Sequence, residues 1–160
     1  MSTTVTWHRV KPQTFAAFVE DPGASADGKY GCPTFDVVKQ ISHSNVWTNY
    51  ESLLNNYNAS GVEPFRIPVL GSDKIDGGKL SGDVRVSSPA AVVVTAEKLR
   101  KVSPKRLWTR IDERRALCWW WCRTDGIRIM KHAILSWYSQ VRLFYIDAAD
   151  DGDAVIVIMG

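Results

Sequence analysis

The sequence predicts an α+β domain, a single compact and mostly helical unit over residues 1–160. Its small sheet pairs an N-terminal strand (about 4–10) with a C-terminal strand (about 154–159). Three observations predict it. Ile127, Met130, Ile134, Trp137, Val141, Phe144 and Ala148 recur at steps of three and four, and only an α-helix gathers that spacing on one stripe. Ala154-Val155-Ile156-Val157-Ile158-Met159 is a continuous apolar run, the pattern of a strand buried on both faces. From Val5 to Val10 the chain alternates, with Val5 and Trp7 opposite Thr6 and His8, which makes it the natural partner of the terminal strand.

The elements follow in order. Pro12 opens a short helix as its first residue, with Phe15, Phe18 and Val19 as the apolar side, and Asp21-Pro22-Gly23 ends it. Residues 21–33 read as a loop. From Thr34 a second helical pattern places Phe35, Val38 and Ile41 inward, with an interruption near Ser42–Asn45. Val46, Trp47, Tyr50, Leu53, Leu54 and Tyr57 continue at helical spacing until Gly61. Residues 62–88 carry Pro64, Pro68 and several glycines, so regular structure there should be short, and a loop of this length is often functional. Ser88-Pro89 and Ser103-Pro104 each set a capping hydroxyl before a proline, predicting one helix over about 89–101 and another from Pro104 toward Cys122. Asp150-Asp151-Gly152-Asp153 is the turn between the long helix and the last strand.

Composition bounds the function. The chain is 45% hydrophobic, enough for a sizeable core, and its net charge of +3 is too mild to imply nucleic acid. Three cysteines give no disulfide framework, and Met1 to Trp7 lack the charged-then-apolar order of a secretory signal, so a reduced cytoplasmic protein is expected. No stretch approaches the ~20 apolar residues of a membrane helix.

Cys118-Trp119-Trp120-Trp121-Cys122 is the most conspicuous local sequence. Two cysteines four apart share a helix face, yet the spacing matches no structural zinc pattern, so no metal and no cofactor are expected. On a helix the three tryptophans fan across about 200°, so one face cannot bury them all. They are either core or, since Trp is enriched at hot spots, an interface. Between Lys98 and Arg115 eight cations oppose Asp112 and Glu113, a basic stretch that also reads as the solvated face of helices. The long helix is charged against its dipole, with Arg123, Arg128, Lys131 and His132 near its start and Asp147, Asp150 and Asp151 at its end. Either charged partners or pairing with other elements, such as Asp147 with an arginine of 106–115, would account for this. The closing aspartates do not make a calcium loop, because Ala149 and Ile158 stand where ligands are required. No nucleophile elbow, phosphate loop or His-Glu-x-x-His is present.

The segment order resembles the YfbM-like family of small bacterial proteins of unknown function. The resemblance covers nearly the whole chain as a single domain. It lies in Trp7-His8-Arg9-Val10, Phe15 and Glu20-Asp21-Pro22, in Val46-Trp47 with Leu53-Leu54, and in Val69-Leu70-Gly71. It continues through the Ser88-Pro89 helix with Leu99 and Leu107, and ends on Phe144-Tyr145, Ala148-Ala149 and Gly152-Asp153-Ala154-Val155-Ile156-Val157. The resemblance implies an α+β domain and brings no established chemistry. Tyr50-Glu51 stands where family members tend to carry Leu-His, and Asn55-Asn56 replaces a common Thr-Gly, so an activity resting on either is lost here.

Two functions are weighed. The favoured one is a non-enzymatic protein-binding domain, in its specific form an immunity protein neutralising a bacterial toxin domain. Trp119, Trp120, Trp121, Arg128, Lys131, Asp147, Asp150 and Asp151 are its candidate contacts. The alternative is a small enzyme or nucleotide-binding domain with a cleft at loop 62–88, using His8, Glu51 and Arg66.

Overall fold

The computed structural model describes residues 4–25, 34–44, 71–77, 80, 82–107, 109 and 124–160. Five strands form one antiparallel sheet: β1 (Thr4–Val10), β2 (Lys39–Ser44), β3 (Asp73–Ile75), β4 (Asp83–Ser87) and β5 (Ala154–Met159), in the spatial order β2-β1-β5-β4-β3. Among the described residues the sheet is accompanied by the helices α1 (Pro12–Glu20), α2 (Pro89–Lys101) and α3 (Thr124–Asp150). The α+β class holds, and β1 pairs with β5 as expected, Trp7 facing Val157 and Val5 facing Met159. The sheet is wider than the expected terminal pair because β2 and the β3–β4 hairpin extend it on both sides.

β5 is the central strand, and its unbroken apolar run follows from that position. Val155, Val157 and Met159 enter a core with Val5, Trp7, α2 and α3, where Trp137, Tyr138, Val141, Phe144, Tyr145 and Ala148 are buried. Ala154 and Ile156 face the other way, into a second core with Val10, Phe18, Val84 and Val86. Successive strand residues point to opposite faces, so a strand roofed on both sides needs apolar residues at every position.

The helix expected from Thr34 is a correction. Residues 39–44 are the edge strand β2, with Ile41 opposite Trp7 and His43 opposite Val5. Phe35, Val38 and Ile41 are three apart without sharing a face. Phe35 packs edge-on to Phe18 and His8, Val38 is 47% exposed and gives its N–H to the Arg9 carbonyl at 2.8 Å, and Ile41 packs on the helix-side core. The period that decides is the alternation through Gln40, Ile41, Ser42 and His43, and pairing to β1 overrides the weaker helical spacing. A smaller correction concerns α1, where Phe18 is buried but Val19 is 45% exposed.

Ser88 caps α2 as its spacing predicts, its Oγ accepting from the Ala91 N–H at 3.3 Å, with Pro89 in the first turn. Ser103 caps the helical residues 104–107 in the same way, accepting from the Arg106 N–H at 3.2 Å. Within 62–88, Gly82 holds φ +105° against β5, where an added Cβ would lie 2.1 Å from the Met159 carbonyl oxygen. The helix expected over 46–57 and the block from Cys118 to Cys122 lie outside the described residues.

Candidate functional site

The site grows from the end of α3. Gly152 takes φ +69°, the Asp153 N–H reaches back to the Ala148 carbonyl at 2.8 Å, and the Gly152 N–H reaches Ala149 at 3.2 Å. This is a left-handed helix stop, and it turns the chain straight into β5. Four aspartates cluster around it, and each meets a cation from another element. Asp153, fully buried, accepts from Arg9 Nε at 2.6 Å and lies 2.9 Å from Lys11 Nζ. Asp151 accepts from the same Arg9 guanidinium. Asp147 accepts from Lys39 of β2 at 3.1 Å, and Asp150 accepts from Arg100 of α2.

These pairs account for the reversed charge of the helix end. Carboxylates at a helix C-terminus are disfavoured by its dipole, but neighbouring cations offset that cost. Asp147 pairs with Lys39, which β2 delivers from 108 residues away in sequence, while Arg110, Arg114 and Arg115, among the partners expected for it, lie outside the described residues. Burial alone would raise the Asp153 carboxyl, and the hydrogen bonds from Lys11 and Arg9 override it and hold the group below the usual carboxylate range. Sequence reasoning missed Arg9, Lys11, Lys39, Arg100 and Asp153. Arg9 had a signal: a lone charge inside a strand destined for burial requires an acidic partner.

The remaining candidates are placed as follows. Trp119, Trp120, Trp121, Glu51 and Arg66 lie outside the described residues. Arg128 and Lys131 fall on α3, and their side chains lie outside the description. His8 is 3% exposed beneath Phe35, and burial pushes its pKa down to about 4, so it is neutral at physiological pH. A general base needs reach to its substrate proton, and His8 sits instead in the wall of the second core. Burial likewise lowers His43, partly opposed by a hydrogen bond with Gln140.

Arg100 and Asp150 join two differently charged ends. On the α2 side stand the exposed Lys101, Lys105 and Arg106, and on the α3 side Asp147 and Asp151. The result is one surface, basic on the α2 side and lined on the α3 side by carboxylates that Lys39 and Arg9 already pair. No helix among the described residues is long and apolar enough to cross a membrane.

Fold and site together define a small α+β domain in which the closing aspartates are held by ion pairs and His8 is buried. A solved structure shares that architecture: YfbM from Escherichia coli, a protein of unknown function, superposes with a TM-score of 0.63 over 98% of this chain and 99% of its own, at 10% identity. The chain has a YfbM-like fold. No family model and no curated protein matches the sequence.

Proposed function

We propose that the chain is a non-enzymatic protein-binding domain that engages another protein through the two-signed surface around Arg100 and Asp150. The observation that carries this reading is the Arg100–Asp150 pair, which sets the basic end of α2 against the acidic end of α3. Both partners are solvent-accessible, and an exposed pair of this kind contributes only about 0–1 kcal/mol to folding. The Arg100–Asp150 pair thus adds little to folding, whereas complementary charge speeds encounter and excludes wrong partners. In its specific form the reading is an immunity protein that neutralises a bacterial toxin domain, consistent with the size and with the absence of a catalytic motif in the sequence.

Affinity capture of the tagged chain from its native lysate, run beside Asp150→Lys, tests it. A chain retained by the wild type and released by the variant, both folded by circular dichroism, is the expected result. Equal retention by the two, or tight binding of a nucleotide or sugar with no protein captured, would overturn the reading. Co-expression with a toxin encoded alongside tests the immunity form, and unrelieved toxicity would reject it.

A further inference from the structure

The basic half of this surface holds more than its share of the protein's charge. From Glu97 to Arg106 the sequence has five cations and one carboxylate, a net of +4, whereas the whole chain sums to +3. The other 150 residues therefore sum to −1, and the positive character of the molecule is local.

The fold gathers these cations in space. The Arg106 guanidinium folds back and donates to the Lys101 carbonyl at 3.3 Å, so the start of the helical residues 104–107 sits against the last turn of α2. Arg100, Lys101, Lys105 and Arg106 are all exposed. Local stability explains half of the arrangement. Lys98, Arg100 and Lys101 lie in the last turn of α2, where the dipole favours cations. Lys105 and Arg106 follow the Ser103 cap in a first turn, where the dipole disfavours them.

We propose that this corner docks an acidic segment of a protein partner, one presenting several Asp or Glu side chains. The inference rests on the binding reading above and names the chemistry of what binds. A phosphate backbone fits less well, because it is a continuous polyanion with one charge per ~1.7 Å of duplex. Among the described residues the corner is bordered by Glu97 on one side and by Asp150, with Asp147 and Asp151 beyond it, on the other. A long polyanion would run onto those carboxylates, whereas a short acidic segment ends before them.

The test uses the full chain and a short poly-L-glutamate peptide as probe, with binding measured at low and at physiological salt. Lys101→Glu with Lys105→Glu should weaken binding about tenfold or more. Lys74→Glu with Lys79→Glu makes the same change in net charge elsewhere in the sequence and should weaken it far less. Equal weakening by both pairs, no binding of polyglutamate at low salt, or tighter binding of single-stranded DNA of matched charge would each overturn the inference. The two levels separate cleanly. A partner that still depends on Asp150 while polyglutamate fails removes the acidic-segment proposal and keeps the binding surface. Specific polyglutamate binding with no dependence of any captured chain on Asp150 does the reverse.

Discussion

His8 and Asp153 are both buried polar groups, and they respond to acid by opposite chemistry. His8 is folded in its neutral form, with Nδ1 buried and lacking a hydrogen-bond partner among the described residues, and with a pKa near 4 against an ordinary 6.5. Its effect on stability is absent above pH 6.5. As pH falls toward 4 the unfolded chain takes up a proton that the folded chain refuses, so the protein loses about 3 kcal/mol across that window. His8→Leu should flatten this limb in urea unfolding at pH 7, 5.5 and 4, and an unchanged slope would clear His8 of responsibility. Asp153 is folded as a carboxylate below its ordinary pKa, so its contribution is present above about pH 3.8 and is lost as pH falls further. Asp153→Asn leaves Arg9, itself 6% exposed, without its buried counter-charge. The expected loss is about 3 kcal/mol at pH 7, read from denaturant midpoints. A loss under about 1 kcal/mol would mean that Asp151 alone suffices for Arg9.

Among elements, α2 and β2 mark how far local sequence carries. Both ends of α2 were legible, because a cap hydroxyl followed by proline is a local instruction that the Ala91 N–H obeys. Ser88→Ala should cost about 1 kcal/mol in thermal unfolding, with the helix otherwise intact. A negligible change would assign the start of α2 to Pro89 and packing instead. β2 was not legible, since six residues reading Lys-Gln-Ile-Ser-His-Ser have little strand propensity and owe their form to β1. The β3–β4 hairpin escaped for a related reason: β3 is three residues long, too short for any period to show. The same division runs through the site. The aspartates of the closing turn could be picked out as an unusual charge order on a helix, but their cations come from β1, the start of α1, β2 and α2. Lys39 and Asp147 are joined only by tertiary packing, and no local pattern announces such a pair.

At the scale of the whole molecule, β5 is one strand shared by two cores. Val155 and Val157 pack with Trp7, Trp137 and Phe144, while Ile156 packs with Phe18, Val84 and Val86. A cavity opened on one face should therefore weaken the strand that the other face depends on. Ile156→Ala lies wholly in the second core and should cost about 3 kcal/mol through lost burial and residual cavity. Trp7 and Trp137 both belong to the first core, so their indole resonances, resolved from those of the other tryptophans by NMR, report a region that the substitution does not touch. Cooperative unfolding through β5 requires that the loss of these resonances and of the far-ultraviolet signal shift together to the same lower midpoint. If the two cores were separate folding units, the tryptophan transition would stay where it is while part of the secondary structure melted earlier. Coincident midpoints would make β5 the mechanical centre of the fold. The charged surface at the end of α3 would then be held by both cores at once, since the turn that carries it runs directly into this strand.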